Sequence, residues 1–348
     1  MKTQNNIEKG RNSGKKQALF LPKNFLITLA VVIVLLIATV VISISFGSRQ
    51  VTVNEIIDAI FNPHISEYGV NVIRKRIPRT FFGLLCGAGL GVSGVLMQAV
   101  TRNPIADPSI LGVNTGASVF VVCGIAFLNI SAPSEYIILA LIGSTFTSVL
   151  VYGIGSMGKG GATPMKLLLA GAATSAALSC IISTVMIPRS YVMEEYRFWQ
   201  VGSIGAGTWN YVSLLAPFMI IGIVMAMSLA PALNAMALGD EAATSLGVRT
   251  GIVRIFAALT GVILCGGATA LAGPIGFIGL LAPHLIRLIV GADLRYTIPL
   301  SALTGAVILT ISDVIGRLIS YPGELEVGVV TAFVGAPILI YTAMRAKI

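Results

Sequence analysis

Four cations, Arg74, Lys75, Arg76 and Arg79, cluster in NVIRKRIPRTFFGLLCGAGLGVSG, residues 71–94, at the mouth of an apolar, glycine-rich run. Such a cluster binds carboxylates or phosphates, arginine through two parallel hydrogen bonds and lysine as a point charge. Other candidate chemistry is weaker. GLGVSG, residues 89–94, matches the GxGxxG spacing, but no strand precedes it and no acidic residue follows about 20 positions on, as a dinucleotide site requires. GKGGAT, residues 158–163, lacks P-loop spacing, so ATP must be bound by another chain if it is used at all. His284 in LLAPHLIRL has no Cys, Asp, Glu or second His nearby in sequence, whereas a metal site needs three or four ligands. It reads as a packed or helix-capping histidine. Cys86, Cys123, Cys180 and Cys265 lie singly in apolar runs without CxxC spacing and read as small buried hydrophobes. The expected inventory is no catalytic residue and no metal site.

The elements that must position these residues are membrane spans. Of the 348 residues 55% are hydrophobic and 11% charged, and the mean hydropathy is +0.91. Soluble domains carry about 25% charged residues. Apolar stretches near 20 residues recur from Phe25 onward, the length needed to cross roughly 30 Å of hydrocarbon. The alternating ten-residue segments of a β-barrel are absent from the pattern. The expected fold is all-α and polytopic, with about ten spans at 25–46, 77–99, 109–129, 134–157, 164–187, 210–231, 251–272, 276–291, 297–315 and 326–344. A basic tail, residues 1–24, precedes a single transmembrane domain, residues 25–348. The net charge of +9 does not indicate nucleic acid, because the basic residues are scattered at span ends without interleaved aromatics. The tail is too long for a signal n-region, and no A-x-A site follows the first span.

Lys2, Lys9, Arg11, Lys15, Lys16 and Lys23 precede the first span, so both termini are expected in the cytoplasm. Alternating spans then place 15 of the 23 basic residues inside and 8 outside. The loop FGSRQVTVNEIIDAIFNPHISEYG is too charged to cross again, which puts the four cations on the outer side, against the charge rule. Outer-leaflet phosphate and an acidic protein partner both explain that exception. Two loops on the opposite side stand out. TRNPIADPSILG, residues 101–112, is a reversal with Asn-Pro and Asp-Pro turn signals, followed by a helix that Ser109 helps start. GDEAATSLGVRT, residues 239–250, is the longest inner connection and contains a short helix-prone segment ending near Gly247.

RIPRTFFGLLCGAGLGVSGVLMQAVTRNPIADPSILGVNTGAS, GPIGFIGLLAPHLIRLIVGADLR and ELEVGVVTAFVGAPILIY resemble the signature blocks of the FecCD family, the iron-siderophore and vitamin B12 permeases of ABC importers. EAATSLG, residues 241–247, is similar to the EAA…G loop through which such permeases dock on their ATPase. The resemblance runs from about Arg76 to the C-terminus. It implies the ten-span type II importer fold of the vitamin B12 permease, in the cytoplasmic membrane of a bacterium. It also implies a second permease chain, identical or paralogous, two cytoplasmic ATPases holding the ATP and magnesium, and an external substrate-binding protein. No cofactor is implied for this chain, and the cargo would be an iron-siderophore complex, with haem or cobalamin as alternatives. By motif position Arg76, Arg79 and Arg317 would receive the binding protein. Asp240, Glu241, Ala242, Ala243, Leu246 and Gly247, within a coupling loop at about 232–250, would meet the ATPase. Asn103, Thr174, Ser175 and Ser179 are candidate path-lining residues. One departure from the family is Glu326, which stands where ELPVG usually has proline. A secondary transporter, the runner-up class, would place carboxylates or broken helices at the midplane. Asp313 is the one obvious candidate, and it lies near a span end.

Overall fold

A computed structural model describes residues 23–62, 64–65, 67–130, 132–158, 163–321 and 323–345. The basic tail up to residue 22 and most of GKGGAT lie outside them. Thirteen α-helices are found among the described residues. They are α1 (Lys23–Ser45), α2 (Val53–Phe61), α3 (Tyr68–Thr101), α4 (Val113–Leu128), α5 (Pro133–Ser156), α6 (Pro164–Met186) and α7 (Ser190–Gln200). There follow α8 (Trp209–Met236), α9 (Asp240–Ser245), α10 (Thr250–Ala272), α11 (Ile278–Val290), α12 (Leu294–Ile319) and α13 (Val327–Arg345). Seven are long and apolar enough to cross a membrane, and α4, α11 and α13 contribute shorter apolar helices. These ten correspond one for one to the expected spans; α2, α7 and α9 are the additional short helices.

The bundle is built around α3, buried over 78% of its apolar window. Its glycine face is the reason. A methyl group on Gly87 would strike the backbone of Gly305 and Ala306, and one on Gly91 would strike Ser301, so α3 and α12 meet backbone to backbone. Gly94 abuts Gly279 of α11 in the same way. At 34 residues, α3 is about 51 Å long. It begins at Tyr68 rather than near residue 77, so the four cations lie within a helix that outruns the hydrocarbon.

Two helices start inside the bundle. Gly112, with φ +70°, turns the chain into α4 next to Ser175, the midpoint of α6. The stretch 101–112 is therefore more than a surface reversal, because it climbs to mid-depth. Asp107, not Ser109, starts the turn there: its carboxylate accepts from the Ser109 N–H at 3.0 Å. The second such helix, α11, follows Phe277, whose φ of +70° breaks the chain after α10. Inside α11 Pro283 has no N–H to give the Gly279 carbonyl. Gln98 of α3 supplies one instead, its Nε2 donating at 3.1 Å. Of the cysteines, Cys86 and Cys265 are buried as expected, Cys123 is half-buried, and Cys180 is exposed on α6.

Candidate functional site

At the end of the bundle where α3 begins, Lys75, Arg76, Arg79 and Arg317 line one recess of about 420 Å³ with Ser48, Tyr68, Asn71 and Glu324. The structure thus gathers the three arginines marked for binding-protein docking, and it gives them unlike surroundings. The last carbonyls of an α-helix have no intrahelical donors, and those of α1 receive guanidinium groups from two other helices. Arg76 donates from Nη1 to the Ile44 and Ser45 carbonyls, both at 3.2 Å, and from Nη2 to the Arg49 carbonyl at 2.7 Å. Arg317 donates from Nη1 to the Ser43 and Phe46 carbonyls at 3.2 Å and from Nη2 to Ser43 Oγ at 3.0 Å. Positive charge at a helix C-terminus is favoured by the dipole as well. Arg76 is 6% exposed and Arg317 1% exposed.

Arg79 is held by acids. Its Nε and Nη2 grip Asp313 at 3.2 and 2.7 Å, and its Nη1 donates to Glu324 Oε2 at 2.7 Å. Asp313 also pairs with Arg317 Nε at 3.0 Å, an ion pair one helical turn apart. The segment after α7 closes the recess from beside: Ile204 packs on Gly83, and Gly207 lies against the backbone of Arg79. That segment is pinned by the Ser203 N–H donating to the Ala272 carbonyl at 2.6 Å. Arg74 donates to the Asn62 carbonyl at 2.8 Å, tying α3 to the end of α2. Glu326 lies half-buried immediately before α13. A carboxylate there complements the helix dipole, and a proline there would preset the helix start, so the two residues are alternative ways to begin the same helix.

At the opposite end, α9 is the short helix expected around Glu241. Gly239 and Gly247, with φ of +115° and +83°, set its two corners. Asp240 ties it down, paired with Arg102 at the end of α3 and with Arg254 of α10 at 3.2 Å. Arg102 also donates to the Met236 carbonyl at 2.8 Å. Burial alone would raise the Asp240 carboxyl, but the two guanidinium groups outweigh it and hold the carboxyl below its ordinary value. Ala243 is turned inward and fully buried. Glu241, Ala242, Thr244 and Ser245 face out, flanked by Leu238 at 73% and Leu246 at 67% exposure.

Thr174, Ser175 and Ser179 share α6, the least covered of the long helices, with 11% of its apolar window buried. Ser179 donates to the Ser175 carbonyl at 2.8 Å and Ser183 to the Ser179 carbonyl at 3.0 Å, so the hydroxyls of Ser179 and Ser183 are satisfied within the helix. Asn103 stands apart from them. Its Oδ1 accepts from the Ile105 N–H at 3.0 Å, stabilising the turn after α3. Residues missed in the sequence are Glu324, Arg102, Arg254 and Gln98. Glu324, Gln98 and Arg102 meet their partners across the fold, 245, 181 and 138 positions away, and Arg254 meets Asp240 14 positions away around the α9 corner, so no helical spacing signals any of them.

The FecCD transport family is matched over residues 35–345. The ferric enterobactin transport system permease protein FepD of Escherichia coli (strain K12) is 40% identical over 90% of this chain and 93% of its own length. The probable siderophore transport system permease protein YfiZ of Bacillus subtilis (strain 168) is 35% identical over 92% and 96%. A solved structure of an inward-facing metal-chelate type ABC transporter superposes with a TM-score of 0.80 at 25% identity, covering 92% of this chain and 99% of that one.

Proposed function

The chain belongs to the FecCD transport family, and from that premise we propose that it is the permease subunit of an ABC importer for an iron-siderophore complex. Permeases of this family are multi-pass membrane proteins that work with ATPase and binding-protein partners. The observation that carries the reading is the match along nearly the whole chain to permeases named for ferric enterobactin and siderophore transport. In this reading the recess around Arg79 faces outward and receives an acidic surface of the binding protein, with Lys75 steering its approach. The α9 face from Glu241 to Leu246 meets a cytoplasmic ATPase, which holds the ATP and magnesium. Both termini are cytoplasmic. A second permease chain faces α6 across the pathway, and cargo passes along its hydroxyls.

The test is reconstitution with the ATPase and binding protein, measuring ATP-dependent uptake of a labelled ferric siderophore. Arg79→Glu should weaken binding-protein affinity by tens of fold or more, since disrupting a well-desolvated charge contact costs about 2–5 kcal/mol. Uptake of haem or cobalamin with no ferric siderophore uptake would overturn the cargo. Parent affinity in Arg79→Glu would overturn the docking site.

A further inference from the structure

We propose that Glu324 is a resident counter-ion of the docking recess, holding Arg79 in the undocked permease and giving way to a carboxylate of the arriving binding protein. The inference rests on reading that recess as the docking site.

Arg79 carries two carboxylates of opposite character. Asp313 is 2% exposed, comes from α12, engages Arg79 through two donors, and is itself fixed by Arg317. It suffices to orient the guanidinium. Glu324 comes from the connection between α12 and α13, is 40% exposed, and touches Arg79 through the single Nη1 donor. Its other oxygen accepts from Ser48 Oγ at a long 3.3 Å. Burial would raise the Glu324 carboxyl, yet the neighbouring guanidinium groups and these bonds hold it below its ordinary value. It is therefore ionised whenever a partner approaches near neutral pH.

The other arginines of the recess have no equivalent exposed handle, because Arg76 and Arg317 are spent on the carbonyls that end α1. Nη1 of Arg79 is then the donor for which an incoming carboxylate competes. Two carboxylates on one donor repel each other. Of the two already present, only Glu324 sits on an exposed connection from which it can withdraw. Glu324 is also the acidic member of a lining that includes Lys75, Arg76, Arg79 and Arg317. Its release uncovers positive charge where the partner's negative charge arrives.

The experiment compares parent, Glu324→Gln, Glu324→Ala and Arg79→Glu permeases, each complexed with the ATPase in nanodiscs. It measures association and dissociation of the binding protein across a salt series, together with thermal unfolding. Removing the competing charge should raise affinity several-fold in both Glu324 variants, mainly through faster association, with a steeper loss of rate as salt is added. Affinity equal to or below the parent in Glu324→Gln and Glu324→Ala, while Arg79→Glu abolishes binding, overturns the counter-ion proposal and leaves the docking site standing. If Arg79→Glu binds like the parent, the docking reading fails instead. A fall in both affinity and unfolding temperature on replacing Glu324 would assign it to holding the α12–α13 connection, and would also overturn the proposal.

Discussion

Arg76 and Arg317 do for α1 what backbone amides cannot, and their burial follows from that work. A guanidinium can reach several carbonyls at fixed angles, whereas an ammonium cannot. Removing Arg317 also leaves Asp313 with Arg79 as its remaining partner in the cluster. Breaking a buried ion pair from one side costs about 3–5 kcal/mol. Arg317→Ala and Arg317→Lys should both lower the thermal unfolding temperature in detergent, and Arg76→Ala should do so to a lesser extent. An unchanged unfolding temperature combined with lost binding-protein affinity would return these arginines to a direct docking role. Asp240 behaves differently because it is half exposed. Exposed pairs contribute less than about 1 kcal/mol, so Asp240→Asn should barely change stability, yet uncouple ATP hydrolysis from transport by freeing α9 from α3 and α10. The sign of its pH dependence follows from the lowered pKa. The folded protein binds this proton less readily than the unfolded chain, so the contribution is complete above the ordinary carboxylate range and lost as pH falls through the lowered value. Coupling that depends on this pair should therefore be flat over roughly pH 5 to 8. A titration inside that window would assign the coupling to another group.

The ten hydrophobic helices were legible because hydrocarbon thickness imposes a run length that composition cannot hide. The glycine spacing of α3 was legible as a packing face for the same local reason. The depth at which α4 and α11 begin was not. Gly112 and Phe277 reverse the chain inside the bundle, and hydropathy does not distinguish a turn at the surface from one that other helices shield from lipid. Nor could the sequence show that Ala243 points inward while Leu246 points out, since both belong to one motif. The cation cluster and the inner loop stood out in the residues themselves, the path candidates rested on hydroxyls along one span, and the docking and coupling roles came from resemblance. The geometry divides the arginines into two structural clamps and one fork, Arg79, whose side chain is 12% exposed and held by two carboxylates. The start of α11 yields a prediction of its own. The missing Pro283 donor is replaced by Gln98, which is buried. Gln98→Leu keeps the volume and leaves the Gly279 carbonyl unpaired, at a cost of about 1–3 kcal/mol, offset in part because it also removes the buried Gln98 Oε1, which has no hydrogen-bond partner among the described residues. Thermal unfolding should register that loss. Full stability would show that water or a backbone shift satisfies the carbonyl equally well.

At the scale of the whole molecule, coverage is uneven. α3 is enclosed, whereas α6 offers small and hydroxyl-bearing residues to whatever lies outside the chain. Lipid contact would favour larger apolar side chains on that face. Leu169 and Ile181 supply such side chains at either end, but between them Ala172, Ala173, Ala176, Ala177 and Ser179, with Ser183 beyond, leave room for a neighbour or for water. Cys180 sits on the same exposed face and is a native reporter of which one is present. A thiol must ionise to react, and ionisation requires water. In a Cys123→Ser background, which removes the half-buried thiol, a membrane-impermeant maleimide should label Cys180 in the reconstituted importer, while Cys86 and Cys265 stay protected by burial. The labelling rate should change when ATP and the binding protein start turnover, because alternating access wets the two halves of a pathway in turn. A constant slow rate equal to that of a lipid-facing control cysteine on α1 would place this face against the bilayer, and remove Thr174, Ser175 and Ser179 from the path.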